Sequence, residues 1–355
     1  MHTSLQALKT HPEPSATEFF KDILELYNKS RTFCVIATMV EEDLFSAFLT
    51  PKSAKEVETA RGFSPGMIEY MCDICVHAGL LTRSEEKYHI TPAAQTYLTA
   101  HSPYSQRNSL QNMYSHLQTL WFSLSDRLCH GPHAFDRAQF FHDSSLPAMA
   151  ASTLCGRIQD TVKEIINLAE FANWERIIDI GGGHGLYAIA LASENPHITA
   201  IVQDLPGVIA LSEETIKAYG MEKRVQTLPG DYLECNLGEV ESYDMVFTSS
   251  TAAGFMDIMS DRVAEILKPS GYFINVQPHE ESVEDAFSQL EWALWTFSDT
   301  KEEKKAWKKG KEFPPPGYLT HLETYGIILQ NEVIISDPYR EGSTVKMLIL
   351  KKMVQ

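Results

Sequence analysis

The chain has 355 residues, of which 44% are hydrophobic and 22% are charged, and its formal net charge at pH 7 is −17. This composition is typical of a globular protein and argues against disorder or a repeat architecture. Because a chain of 355 residues exceeds the usual size of a single core, we expect a catalytic domain and at least one smaller domain. The negative charge disfavours non-specific binding to nucleic acid or to anionic membranes, since both are themselves negative.

Targeting and cysteine signals point to a cytoplasmic protein without a metal site. The first residues show no basic segment followed by an apolar stretch, and no run reaches the roughly 18 apolar residues of a membrane span. The six scattered cysteines are expected to be free thiols. Cys72 and Cys75 form a CxxC motif within an apolar helical pattern, so we predict a buried helix face there rather than a zinc or redox site.

Residues 1–105 are predicted to form a mainly helical N-terminal domain. An amphipathic helix covers the segment 19–40, and residues 43–98 follow the outline of a winged helix, with short helices closed by a strand-turn-strand. Winged helices often bind DNA, but residues 41–91 carry nine acidic and five basic side chains, whereas DNA readers are usually basic. We therefore predict that this domain packs against another subunit.

Residues 106–170 are predicted to link this domain to a larger one through helices that line a pocket. One long helix is expected from Arg107 to Leu128, because its leucines recur at helical spacing on one face. A second helical segment is expected over residues 146–171.

From residue 171 to residue 355 the pattern alternates between strand and helix. Five apolar strand candidates separated by helices predict a parallel sheet covered on both faces, and two further strands end the chain. The predicted fold is α/β, a Rossmann-like, doubly wound, mostly parallel seven-stranded sheet with an N-terminal winged-helix domain.

The strongest motif is IDIGGGHG at residues 178–185, where the first of these strands passes into its helix. Glycines let the backbone approach a ligand closely, and a helix N-terminus attracts a carboxylate or a phosphate. A dinucleotide fingerprint would need a small residue at position 186, where this chain has Leu186. The motif therefore reads as GxGxG and not as GxGxxG.

Polar residues at the ends of the next strands extend this site. Asp204 follows Asp179 by 25 residues, at a position where a carboxylate accepts hydrogen bonds from ribose hydroxyls. Asp231 and Tyr232 follow the third strand, and Ser249 ends the fourth. A carboxylate beside an aromatic ring suits an adenine, so the pattern predicts a nucleoside site.

In these residues the sequence resembles the two-domain class I methyltransferases of the plant-type and bacterial O-methyltransferase family, which carry a winged-helix dimerisation domain. The likeness covers nearly the whole chain and includes IIDIGGGHG, VQDLPGVI, PGDYL and LKPSGYFINV. It implies an S-adenosylmethionine cofactor, a small-molecule acceptor and an intertwined homodimer. Carried over by position, the cofactor site comprises Asp179, Gly181, Gly183, Asp204, Leu205, Asp231, Tyr232 and Ser249.

One departure from the family concerns the general base. Many relatives have a His-Asp pair after the fourth strand, whereas this chain has Ala253 and Gly254 there. The candidates for a relocated base are His116 and His279, with Tyr114 lining the same pocket. The alternative is an acceptor that is already nucleophilic, such as a thiolate, an amine or a stabilised carbanion, which needs no base.

Two other function classes remain open on the sequence alone. A nicotinamide-dependent oxidoreductase would use the same kind of sheet, although Leu186 disfavours it. A non-catalytic winged-helix regulator would bind S-adenosylmethionine without transferring its methyl group. The residue pattern identifies neither the acceptor nor its reacting atom.

Overall fold

The computed structural model describes residues 8–9, 11–13, 15–251, 256–279, 286–297, 313–336 and 343–354. The chain divides into two compact units, residues 1–114 and residues 115–355. The segment 106–170, predicted as a linker, is shared between these two units.

The N-terminal unit is mainly helical with one small sheet. Its helices are α1 (Ala16–Glu41), α2 (Leu44–Ala47), α3 (Ala54–Arg61), α4 (Met67–His77), α5 (Pro92–Leu98) and α6 (Arg107–His116), whose last two residues belong to the C-terminal unit. Its strands are β1 (Lys52–Ser53), β2 (Leu81–Ser84) and β3 (Lys87–Ile90), which pair antiparallel in the order β1-β3-β2. Helices followed by a β2–β3 hairpin are the winged helix that the sequence predicts.

Local signals define the helices of this unit. Ser53 accepts a hydrogen bond from the backbone N–H of Glu56, whose side chain accepts one from the backbone of Ser53, a capping box worth about 1 kcal/mol. Gly62 ends α3 at a φ of 70°. Cys72 and Cys75 are fully buried on α4, as predicted, and burial raises the pKa of the Cys75 thiol to about 12.

Helix α1 changes character along its length. Near its C-terminal end Met39 and Val40 are buried in the core of the unit. Its first half leaves large apolar side chains exposed within the chain, among them Phe19 at 62%, Leu24 at 55% and Tyr27 at 57%. An exposed apolar stripe of this kind is typical of a surface that contacts another protein.

The C-terminal unit combines helices with a large sheet. Its helices are α7 (Leu124–His130), α8 (Arg137–Phe140), α9 (Leu146–Thr153), α10 (Arg157–Ile166), α11 (Leu186–Glu194), α12 (Pro206–Ala218), α13 (Met256–Ile266), α14 (Ala286–Leu294) and α15 (Tyr318–Glu323). Its strands are β4 (His133–Phe135), β5 (Arg176–Ile180), β6 (Thr199–Asp204), β7 (Val225–Pro229), β8 (Tyr243–Ser249), β9 (Leu267–His279), β10 (Trp295–Phe297), β11 (Ile327–Ser336) and β12 (Thr344–Lys352).

The large sheet has seven strands in the order β11-β12-β9-β8-β5-β6-β7. Strands β5 to β9 pair parallel, and β12 runs antiparallel to both of its neighbours. The chain order reverses between β5 and β8, which lie side by side. Open parallel sheets bind ligands at such a switch point, outside the carboxyl ends of the strands.

Alternate residues of β5 pack into two separate hydrophobic cores. Ile177 belongs to the core beneath α10 and α11, while Ile178 and Ile180 belong to the core beneath α13 and α15. All three side chains are at most 1% exposed. Burial on both faces explains why these strands read as continuous apolar runs.

Two predicted helices are interrupted. The helix expected from Arg107 to Leu128 contains a π-helical turn at Leu117–Trp121. The regular backbone hydrogen bonds are interrupted near Ser123, whose hydroxyl donates to the carbonyl oxygens of Thr119 and Leu120. The segment 146–171 breaks at Gly156, which takes a φ of 133°. The apolar spacing does not reveal either break, because apolar residues recur every three or four positions through both segments.

Candidate active site

The glycine motif forms a tight turn after β5. Gly181, Gly183 and Gly185 have φ values of 66°, 53° and 72°, a region that other residues rarely adopt. A Cβ on Gly181 would collide with the side chain of Thr251, and one on Gly182 would lie 2.8 Å from the carboxyl carbon of Asp179. The turn therefore needs glycine, and it exposes backbone to the crevice above the sheet.

Asp204, the last residue of β6, is tied to this turn. Its Oδ2 accepts a hydrogen bond of 2.9 Å from the backbone N–H of Gly183, and its Oδ1 accepts one of 2.7 Å from that of Leu205. A carboxylate offers about four acceptor sites, so it can accept hydrogen bonds from ligand hydroxyl groups as well as from the backbone. The carboxylate is thus held in place by the backbone.

Asp179 is a buried carboxylate on the wall of the crevice. It is 3% exposed, and its Oδ2 makes no hydrogen bond with any described residue. Burial, with a smaller contribution from the charge of Asp204, raises the pKa of Asp179 to about 8. A buried carboxylate oxygen without a partner is costly, so a cationic ligand group placed beside it would be strongly favoured.

The crevice has further walls that the sequence analysis missed. Residues that line it include Arg157 on α10, Leu146 and Met149 on α9, and Ser250. Ser250 has a φ of 55°, a strained conformation for a serine directly after β8. Arg157 brings a permanent positive charge, which suits a ligand carboxylate. An arginine on a helix gives no signal in the sequence that separates it from a surface arginine.

His184, inside the motif, is a structural residue. Its Nδ1 accepts a hydrogen bond of 3.2 Å from the backbone N–H of Leu186, which caps the start of α11. Burial lowers the pKa of His184 to about 4, so the ring is neutral at pH 7. The sequence analysis assigned His184 no role.

The remaining predicted cofactor residues lie at the same edge of the sheet. Leu205 is the N-cap residue of α12, and Ser249 ends β8 and lines the crevice. Asp231 is exposed and accepts a hydrogen bond of 2.9 Å from the backbone N–H of Leu233, while Tyr232 is half-buried and packs against the core beneath α13.

The three candidates for acid–base work lie in different places. His116 lies in the C-terminal unit, where its Nδ1 is 3.5 Å from Oε1 of Glu291. Tyr114 lies in the N-terminal unit with its ring 6.3 Å from that of Phe33. His279 is the last residue of β9 and its backbone pairs with Thr344. Ala253 and Gly254 lie outside the described residues.

Comparison with protein families identifies both halves of the chain. A model of the O-methyltransferase domain matches residues 130–272, and a model of the O-methyltransferase dimerisation domain matches residues 24–100. The chain belongs to the O-methyltransferase family. The family assignment confirms the resemblance inferred from the motifs.

Individual relatives of this chain are distant. An uncharacterized protein of Methanocaldococcus jannaschii is 27% identical over 96% of this chain and 99% of its own length. The N,N-dimethyltransferase OxyT of Streptomyces rimosus is 27% identical over 60% of this chain, and the match spans 64% of its length, less than two thirds. Human N-acetylserotonin methyltransferase, solved in complex with SAM, shares the fold with a TM-score of 0.63 at 18% identity, covering 97% of this chain and 100% of its own.

The site fits S-adenosylmethionine on structural grounds. The buried Oδ2 of Asp179, without a partner among the described residues, suits the ammonium group of an amino acid. The glycine turn leaves no room for side chains where a ligand would approach. The carboxylate of Asp204 is held beside the turn by backbone N–H groups and suits the hydroxyl groups of a ribose, so the residues present match the groups of the cofactor.

The described part of the chain has no helix that is long and apolar enough to cross a membrane.

Proposed function

We propose that this protein transfers the methyl group of S-adenosylmethionine to a small-molecule acceptor. The observation that carries the proposal is the pair of acids at the switch point, where Asp179 faces the crevice from β5 and Asp204 is held beside the glycine turn. One acid suits an ammonium group and the other a ribose. Together with the family assignment, this pair supports a nucleoside cofactor that carries an amino acid.

The residues of the crevice would bind and orient the cofactor. Asp179 would hold its ammonium group and Arg157 its carboxylate, while Asp204 would accept from the ribose hydroxyls. When bound, the cofactor supplies an electrophilic methyl group on a sulfonium. Because the transfer is an in-line displacement, holding the two reactants in line provides most of the acceleration.

The acceptor atom is left open by this proposal. An acceptor hydroxyl with a pKa near 10 must lose its proton as it reacts, which calls for a base. His116 is the candidate with described side-chain contacts in the C-terminal unit. Relatives of this chain are named as O-, N- and C-methyltransferases, so the family accommodates several acceptor atoms.

The proposal is tested by calorimetry and by product formation. S-adenosylmethionine should bind the purified chain, whereas NAD and NADH should not. A panel of phenols, thiols and amines should then yield S-adenosylhomocysteine with at least one class. Binding without product from any class would favour the regulator, and binding of a nicotinamide cofactor alone would contradict the proposal.

Replacing His116 should separate the two kinds of acceptor. We expect His116→Ala to lower product formation from phenols by roughly 10²-fold or more, the usual contribution of general base catalysis. Thiophenols, which ionise without a base near neutral pH, should be methylated at the wild-type rate. His130→Ala, at an exposed histidine of α7, is the matched control. An equal loss for phenols and thiophenols would argue against a base.

We also propose that the chain forms a homodimer through the exposed half of α1. The dimerisation model begins at residue 24, within this helix, and its apolar stripe needs a partner. Light scattering should give about twice the 40.0 kDa of one chain. Replacing Leu24 and Tyr27 together by glutamate should give a monomer, whereas Lys21→Glu on the same helix should not. A wild-type monomer would contradict the proposal.

A further inference from the structure

An aromatic cluster lies in the C-terminal unit at the two π-helical turns. Leu120, Leu294 and Trp295 are buried at its centre. Its partly buried members are Trp121, Leu124, Phe135, Phe140, Phe141 and Trp292. Because π-helical turns are rare and often occur at functional sites, two of them at one cluster make it a candidate acceptor pocket.

His116 is oriented by this aromatic cluster. Its ring lies within 17° of parallel to that of Phe140, with the centroids 6.4 Å apart, and Phe140 stacks in turn on Trp295 at 5.0 Å. The His116 side chain is 18% exposed. A ring stacked on one side and partly open to solvent keeps a fixed plane and remains accessible.

Glu291 on α14 connects His116 to Trp121. Its Oε2 accepts a hydrogen bond of 3.1 Å from the indole Nε1–H of Trp121, and its Oε1 lies 3.5 Å from Nδ1 of His116. An indole nitrogen only donates and an ionised carboxylate only accepts. The indole of Trp121 therefore holds Oε2 of the carboxylate, and Oε1 attracts a proton onto Nδ1 of His116.

We propose that Glu291 is a positioning residue that fixes the tautomer of His116. With the proton on Nδ1, the lone pair lies on Nε2, which is the atom that takes up the proton of an acceptor. A carboxylate that orients a histidine in this way is a recurrent arrangement in base catalysis. This inference rests on the proposed function, because it assigns His116 the base of that reaction.

The π-helical turn explains how Trp121 contacts Glu291. The backbone N–H of Phe122 donates to the carbonyl oxygen of Leu117, five residues earlier, instead of four. The extra residue rotates the following side chains by about 100° relative to a regular helix. Trp121 thus points toward α14, where a regular helix would direct it elsewhere.

A continuous helical segment also connects the aromatic cluster to the cofactor crevice. Phe140 ends α8, the second π-helical turn follows, and Leu146 begins α9. A Cβ on Gly183 would lie 3.0 Å from Leu146, so this leucine contacts the glycine turn. Six residues of helix span about 9 Å, a distance that a small acceptor molecule bridges.

Nitrogen-15 NMR of the histidine-labelled full chain with bound S-adenosylmethionine tests the inference. At pH 9, where imidazole is neutral, the His116 signals, assigned with His116→Gln, should show the Nδ1–H tautomer. Glu291→Leu should shift His116 to the Nε2–H tautomer that free imidazole prefers in water. Unchanged tautomer signals in Glu291→Leu would overturn the proposal.

Two further measurements distinguish the possible failures. Trp121→Phe removes only the indole donor and should leave part of the Nδ1–H signal, because Glu291 then loses the hydrogen bond from the indole but stays beside His116. Affinity for S-adenosylmethionine should stay within about twofold in both variants. If wild-type protein does not bind S-adenosylmethionine, the proposed function is wrong. If it binds S-adenosylmethionine but His116 carries its proton on Nε2, only the role proposed for Glu291 is wrong.

Discussion

Replacing Asp204 by alanine should weaken S-adenosylmethionine binding by at least about 100-fold. Hydrogen bonds to a charged group contribute about 1.5–3 kcal/mol each, and the variant loses the two proposed hydrogen bonds between Asp204 and the ribose. The same change leaves the backbone N–H groups of Gly183 and Leu205 without their acceptor. The free protein should therefore also lose stability, by about 1–3 kcal/mol.

Calorimetric titration and thermal unfolding measure these two effects separately. Asp160→Ala removes an exposed carboxylate from α10 in the same unit and serves as the matched control. It should leave both quantities unchanged. Wild-type affinity in Asp204→Ala would rule out a ribose contact, whatever the change in stability.

Replacing Asp179 by asparagine should raise the stability of the cofactor-free protein at high pH and weaken the binding of S-adenosylmethionine. The pKa of Asp179 is raised to about 8 in the fold, from an ordinary value of 3.8. The folded state therefore holds this proton more tightly than the unfolded state does, and the resulting stabilisation is lost as the pH rises through about 8. Asparagine removes the buried charge, so the variant without cofactor should be more stable than wild type at pH 9.

Although Asp179→Asn should be more stable, it should bind the cofactor more weakly than wild-type protein does. A cationic ammonium placed beside Asp179 favours the carboxylate form, so wild-type protein at pH 7 should release up to about one proton on binding. Asp179→Asn should release none and should bind about 10- to 100-fold more weakly, the loss expected for one charged hydrogen bond. Titration in buffers of different ionisation enthalpy measures the proton count.

A variant that is merely destabilised would not give this combination. Loss of affinity together with lower stability at pH 9 would contradict the assignment of Asp179 as the ammonium partner. Asp160→Asn provides the matched control, because its carboxylate is exposed. It should change neither the proton count nor the pH dependence of stability.

Much of the cofactor site could be predicted because its parts are local. The strand, the glycine turn and the helix of the motif are contiguous, so their order in the sequence determines how they are placed in the fold. Asp179, Asp204 and Ser249 lie at or next to the carboxyl ends of strands that meet at one edge of the sheet. Arg157 was missed because it comes from α10, before the first strand of the sheet.

The neighbourhood of the proposed base was less predictable. His116 appeared as a candidate from its helix and from the missing histidine near residue 253, but Glu291 gave no signal. Apolar residues keep helical spacing in the sequence across the π-helical turn, so the sequence does not predict that Trp121 contacts Glu291. The small parallel pair of β4 and β10 was missed for a similar reason, since strands of three residues carry too little pattern.

Taken by itself, the sequence determined the fold class, the switch-point turn and the pair of acids, because periodicity and glycine conformation act over a few neighbouring residues. Only the tertiary structure decided that Oδ2 of Asp179 is buried without a partner among the described residues. It alone also brought Glu291 to His116, 175 residues away in the chain. Burial and long-range contacts arise when whole elements pack together, and no local pattern encodes which side chains then meet.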